Sequence, residues 1–180
     1  MAEPKLVPVD PYNGSAFIPT GDPMIDQVGP ASYADRADVP DRTAHGAPKI
    51  VPMRIATDFT IAEGDPDPRG LPVHACDGVV AGTIVDCWVD KSEPQVRYYE
   101  VKLADGGKQV LLPVPFVAWP NFGLFGLDHV RVKAITAAQF ANVPGTKSPD
   151  QITLLEEDKI CGYYSGGHLY ATPDRSQPLI

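Results

Sequence analysis

Apolar residues recur at every second position from Val79 to Val89: Val79, Ala81, Thr83, Val85, Cys87 and Val89. Period two marks a strand with one buried face. Asp90 to Pro94 interrupt it with charge and a proline. Alternation then resumes, Arg97, Tyr99, Val101 and Leu103 interleaving with Val96, Tyr98, Glu100 and Lys102. Asp105, Gly106 and Gly107 signal a tight turn, and Gln109 to Val114 read as a third strand. The pattern predicts an antiparallel meander whose first connection carries Asp90 and Glu93 beside Lys91 and Arg97.

Shorter apolar runs flank the meander. Lys49 to Ala56 (Ile50, Val51, Met53, Ile55) reads as a strand, and Glu63 to Gly70 as a turn-rich loop. Leu71 to Val73 lead into the meander. Phe116 to Trp119 follow it, then a turn at Pro120 to Gly126. In a strand from His129 to Ile135, Val130, Val132 and Ala134 face one side. His129, Arg131 and Lys133 make a basic strip on the other, a solvated or partner-facing surface. Thr136 to Asn142 suit one or two helical turns. Five or six short strands with tight turns imply a mainly β fold, a small closed or half-closed antiparallel barrel.

The ends differ from this middle. Thr153 followed by Glu156 is a capping box opening a C-terminal helix, with Leu154, Leu155, Ile160, Cys161 and Tyr164 on one face and Gly166–Gly167 as its end. Glu156, Glu157 and Asp158 fall where the helix dipole favours negative charge. At the other end, nine of the 20 prolines lie at or before Pro52. No apolar period persists there, yet Leu6, Val7, Phe17, Ile18, Met24, Ile25 and Tyr33 are spaced like anchors. Three parts are expected: an extended Pro-rich arm over 1–48 lying on partner subunits, a barrel over 49–147, and a helix with tail over 148–180.

Composition narrows the function. The 180 residues carry 23 Asp and Glu against 15 Lys and Arg, a formal charge of -8. That balance disfavours nucleic acid, whose phosphates need clustered cations. The three cysteines, Cys76, Cys87 and Cys161, lack metal spacing and are expected as reduced thiols. The long uncharged stretch from Gln109 to Leu127 is interrupted by prolines and glycines, so no membrane-spanning helix is expected there. The sequence holds no phosphate loop, dinucleotide fingerprint or nucleophile elbow, and enzymatic activity is not expected. The histidines (His45, His74, His129, His168) show no paired ligand spacing.

Three stretches resemble the H subunit of the purple-bacterial photosynthetic reaction centre. They are SPDQITLLEEDKICGYYSGG at Ser148 to Gly167, TGDPMIDQVGPAS at Thr20 to Ser32, and GLPVHACDGVVAGTIVDCWVD at Gly70 to Asp90. The likeness runs in one order from about residue 18 to 173. It implies a PRC-type β-barrel that caps the L and M subunits, stabilises the complex and supplies part of the proton path to the secondary quinone. Bacteriochlorophyll, bacteriopheophytin, quinones and non-haem iron would then sit in L and M, with none bound by this chain. By position the resemblance implies proton-transfer roles for Glu93, Asp90, Asp41, His45 and Lys49, with Arg97 tuning Glu93.

Two positions depart from that pattern. Ala47 stands for a second histidine and Thr43 for an aspartate, so His45 is left as a marginal metal ligand and no metal site is expected. The family's leading transmembrane helix has no counterpart in this sequence. The start at Met1 suggests that the helix is a separate polypeptide, the alternative being that it was removed. Antenna subunits and lipid headgroups are further expected partners, and the cytoplasmic face of the photosynthetic membrane the expected location. The rival reading is a free-standing PRC-barrel adaptor, such as an RNA-maturation factor, against which the acidic balance counts.

Overall fold

The computed structural model describes residues 5–120 and 128–176. Its centre is the meander. Strand β5 (Val80–Asp90) pairs antiparallel with β6 (Gln95–Leu103), and β6 with β7 (Gln109–Pro113). At 11 residues, β5 is long enough to hold two partners end to end on its other edge. Strand β3 (Ile50–Pro52) takes the Trp88–Asp90 end, and β4 (Pro72–His74) the Val80–Thr83 end. Strands β8 (Val117–Ala118) and β9 (Val130–Val132) complete the order β7-β6-β5-β4-β9-β8. Strands β1 (Leu6–Pro8) and β2 (Phe17–Pro19) form a separate hairpin.

Two features differ from an antiparallel barrel. First, β4 and β9 run parallel, with Val73 opposite Val130 and His74 opposite Arg131. A parallel pair needs a long crossover, and the whole meander supplies it. Second, no ladder among the described residues joins β7 to β8, so the sheet does not close. Pro113 and Pro115 flank that gap and have no N–H to donate. Helix α1 (Leu154–Tyr170) covers it instead. Tyr164 of α1 stacks on Phe116 at 5.5 Å and meets Phe140 edge-on at 6.0 Å. Trp88, Tyr164, Phe140, Ile84, Leu112, Ile135 and Ile160 are the largest fully buried side chains.

The meander's alternation holds in part. In β5, Ala81, Cys87 and Val89 are buried as expected, but Thr83 and Val85 are exposed, as is Val79 just ahead of the strand. The β5–β6 register skips Val85, a bulge that reverses which face the next residues take. Past it both faces are covered: Asp86, Cys87, Trp88, Val89 and Asp90 are all buried. Strand β6 has a matching irregularity, since Trp88 opposes Tyr98 and Val89 opposes Val96, leaving Arg97 as the extra residue. Elsewhere the strands are shorter than the apolar runs, β3 and β9 being three residues each. Thr136 to Asn142 yields a 3-10 turn over Ala138–Asn142. The turn expected at Pro120 to Gly126 lies, apart from Pro120, outside the described residues.

The helix opens as the capping box requires. The Thr153 hydroxyl accepts from the Glu156 N–H at 3.1 Å, and the Glu156 carboxylate accepts from the Thr153 N–H at 2.9 Å. It does not stop at Gly166–Gly167, however, but runs on to Tyr170. Those glycines answer a packing need. A Cβ on Gly166 would lie 2.5 Å from the Ala31 Cβ, and one on Gly167 2.5 Å from the Ala134 carbonyl oxygen. Glycine costs a helix roughly 1 kcal/mol relative to alanine, a penalty the close approach of chain to helix offsets. What approaches at Gly162 and Gly166 is the arm itself. Met24, Val28 and Ala31 are buried, and residues 29–31 lie across α1. Part of the arm therefore packs on its own chain, whereas Val7, Tyr12, Phe17, Ile18 and Ile25 stay exposed.

Candidate functional site

The Asp90–Gln95 connection sits where β3 meets the end of β5. Asp90 is 1% exposed, and both its oxygens are occupied. Oδ1 accepts from the backbone N–H of Ser92 (2.9 Å) and of Glu93 (3.0 Å), folding the connection into a turn around the carboxylate. Oδ2 lies 3.3 Å from Lys49 Nζ. The β3–β5 ladder brings these residues together by placing Ile50 opposite Asp90, and the Lys91 N–H donates to the Lys49 carbonyl. Lys49 Nζ also stands 3.8 Å from Asp41 Oδ2. The hydrogen bond and charge of Asp90 raise the Lys49 pKa, with Glu93 and Asp41 adding to the effect and burial opposing it.

Glu93 is exposed at the tip, its Oε2 accepting from Gln95 Nε2 at 3.3 Å. His45 lies on an adjoining turn. The Arg42–Pro48 bridge closes that turn, the Thr43 N–H donates to the Ala47 carbonyl, and Gly46 supplies a left-handed φ of 82°. His45 is exposed there, with no side-chain hydrogen bond among the described residues. The structure thus gathers Asp41, Lys49, Asp90 and Glu93 at one edge and puts His45 on a neighbouring tip.

Arg97 is not among them. It forms no ion pair with Glu93 among the described residues. From the β6 bulge its charge instead acts on Glu157 of α1. Glu157 Oε2 accepts from the Tyr98 hydroxyl at 2.9 Å. Burial raises the Glu157 pKa; the Tyr98 hydrogen bond and the charges of Arg97 and Arg36 lower it in part, and Asp41 pushes it up again. Burial also drives the Tyr98 phenol far up, so it stays a hydrogen-bond donor. This partly buried carboxyl with a perturbed pKa was hidden in the sequence by its place in the first helical turn, which an acidic residue already suits. The outward face of β6 was the available signal. It carries Tyr98, and a strand apolar on both faces is covered on both.

A second charged cluster lies on the same sheet. Arg54 Nη1 reaches Glu100 at 2.6 Å and Asp86 at 3.1 Å, while Nη2 reaches Asp150 at 3.1 Å and the Pro149 carbonyl. Trp88 Nε1 donates to Glu100 at 2.9 Å. Burial works against the Arg54 charge, but the contacts with Glu100 and Asp86 prevail and raise its pKa. Asp86 and Glu100 oppose each other across β5 and β6, so this one cation neutralises a like-charged pair and ties the segment before α1 to the sheet. Its role is architectural.

Residues 61–137 match the family model of the PRC-barrel domain, and residues 2–55 that of the photosynthetic reaction centre H-chain N-terminal region. The β-rich fold is that of a PRC-barrel protein. With the H-chain region ahead of the barrel, the chain is a protein of the reaction-centre H-subunit type. That family is a structural subunit rather than an enzyme, membrane-associated and joined to the L and M subunits. Among the described residues no helix is long and apolar enough to cross a membrane.

Proposed function

We propose that this chain caps the cytoplasmic side of the L and M subunits, stabilises that complex, and helps carry protons to the secondary quinone. Reducing a quinone in a low-dielectric site places negative charge where water cannot solvate it, so protons must follow. The observation that carries the reading is the assembly of Asp41, Lys49, Asp90 and Glu93 at one edge of the sheet, with Lys49 between two carboxylates. In this reading Glu93, the exposed member, takes and passes the proton. Asp90 positions it, since the Asp90 carboxylate holds the Glu93 N–H. Lys49 fixes the spacing of Asp41 and Asp90, and His45 collects protons at the surface. Arg97 acts one step away, through Glu157. Pigments, quinones and iron belong to L and M; the chemistry asked of this chain is proton movement alone.

The apolar side chains left exposed on the arm, Phe17 and Tyr12 foremost, support contact with those subunits, because isolated surfaces seldom present such groups together. Glu93→Gln tests the proton role. In reaction centres holding this chain, the second, proton-coupled reduction of the secondary quinone should slow roughly ten- to a hundredfold. The first reduction and the pigment content should not change. An unchanged second reduction removes Glu93 from the path, and loss of pigment would instead place it in assembly.

A further inference from the structure

The geometry points to a two-histidine site for a divalent transition metal at the β4–β9 junction, apart from the acidic edge. The parallel pairing sets His74 opposite Arg131, and His129 lies two residues before Arg131. The topology thereby joins two histidines far apart in sequence. Their ring centres are 4.6 Å apart with planes inclined at 53°, a tilted pair rather than a stack. Two imidazoles sharing one zinc at about 2.0–2.1 Å and a near-tetrahedral angle put their ring centres roughly 5 Å apart.

Asp128 supplies an independent sign. Its Oδ1 is 2.7 Å from His129 Nδ1. In the neutral tautomer whose Nδ1–H donates to that carboxylate, Nε2 presents its lone pair, the carboxylate–histidine arrangement that supports metal ligands. Among the described residues His74 makes no side-chain hydrogen bond. No group of three potential protein ligands occurs among the described residues. The site therefore uses two imidazoles and completes its coordination with water, which suits zinc, nickel or copper better than calcium or magnesium. Arg131, exposed on the same strand, opposes a cation and limits the affinity.

Calorimetric titration of the full chain with zinc chloride tests this. One zinc should bind per chain with micromolar affinity. His74→Gln and His129→Gln, each checked for folding by circular dichroism, should each weaken it at least about tenfold, and Asp128→Asn by roughly ten- to a hundredfold. Arg131→Gln should tighten it, and His45→Gln should leave it unchanged. Nitrogen-15 spectra of the imidazoles should show zinc perturbing His74 and His129 together. Absence of saturable binding, persistence of binding in both histidine variants, or loss only with His45→Gln would each overturn the assignment.

Discussion

Two carboxyl groups near the β5–β6 edge meet opposite environments. Asp90 is almost wholly enclosed, yet every oxygen it presents has a donor: two turn N–H groups and the Lys49 ammonium. Glu157 is less enclosed but has a neutral phenol as its hydrogen-bond partner, and burial raises its pKa despite Arg97 and Arg36. The depth of burial is thus a poor guide to what a carboxylate does. A buried acid with a full set of donors organises structure, whereas a half-buried one facing a phenol is free to exchange a proton. Asp41 touches both settings. It lies near Lys49 on one side, and its charge raises the Glu157 pKa on the other.

The largest expected effect comes from emptying the Asp90 pocket. Asp90→Ala leaves the Ser92 and Glu93 N–H groups of the turn without their acceptor and removes the near partner of Lys49. The variant should lose about 2–4 kcal/mol of stability in denaturant titrations. Asp90→Asn keeps the oxygen that folds the turn and should lose less. If Asp90→Ala unfolds at the same midpoint as the parent chain, the carboxylate does not organise the loop, and the contrast with Glu157 fails.

Glu157→Gln probes the other side and should show a smaller, pH-dependent effect. Burial raises the folded-state pKa above the ordinary glutamate value of 4.5, so the folded chain keeps a proton that the unfolded chain has released. Stability from this site is complete below that ordinary value and is lost as pH rises through the raised one. Glutamine carries no charge at either end. The variant should therefore gain on the parent as pH rises from the ordinary glutamate value through the raised one, by less than about 1 kcal/mol because the side chain is partly solvated. Unfolding curves recorded across that range decide it. A gap that is flat or reverses with pH means Glu157 is not the titrating group.

How much of this could be read from the sequence follows the range of the interactions involved. The β5–β6–β7 meander and the capping box at Thr153 were legible because each is set by residues close together in the chain. The phase change at Val85 and the extra residue at Arg97 were not, since a bulge is chosen by both strands at once. Gly166 and Gly167 read as a helix end because the arm and the Ala134 backbone that crowd them come from elsewhere. The parallel β4–β9 pair was hidden for the same reason, and His74 and His129 with it. At the candidate site, residue type alone left Asp41, Lys49 and Asp90 as ordinary surface charge, and only the family resemblance singled them out. Glu157 is hidden in the sequence because an acidic residue in the first helical turn already has a sufficient explanation in the helix dipole.

Asp41→Asn is the finest of these tests and bears on whether the two settings act together. Asp41 is half exposed, its side chain 48% accessible, so removing its charge should move stability by no more than about 0.5 kcal/mol. The informative readout is the Glu157 titration followed by carbon-13 NMR. Asp41 raises that pKa, so the asparagine variant should titrate at lower pH than the parent, while the Asp90 turn keeps its denaturation midpoint. A downward shift would show that a surface carboxylate on the arm sets the proton affinity of a helix carboxyl across the sheet edge. The arm would then have an electrical as well as a mechanical part in the site. An unmoved or upward-shifted titration would separate the two carboxyls. The proposed proton route would then be confined to the loop residues, with Glu157 left as a packed, passive neighbour of Tyr98.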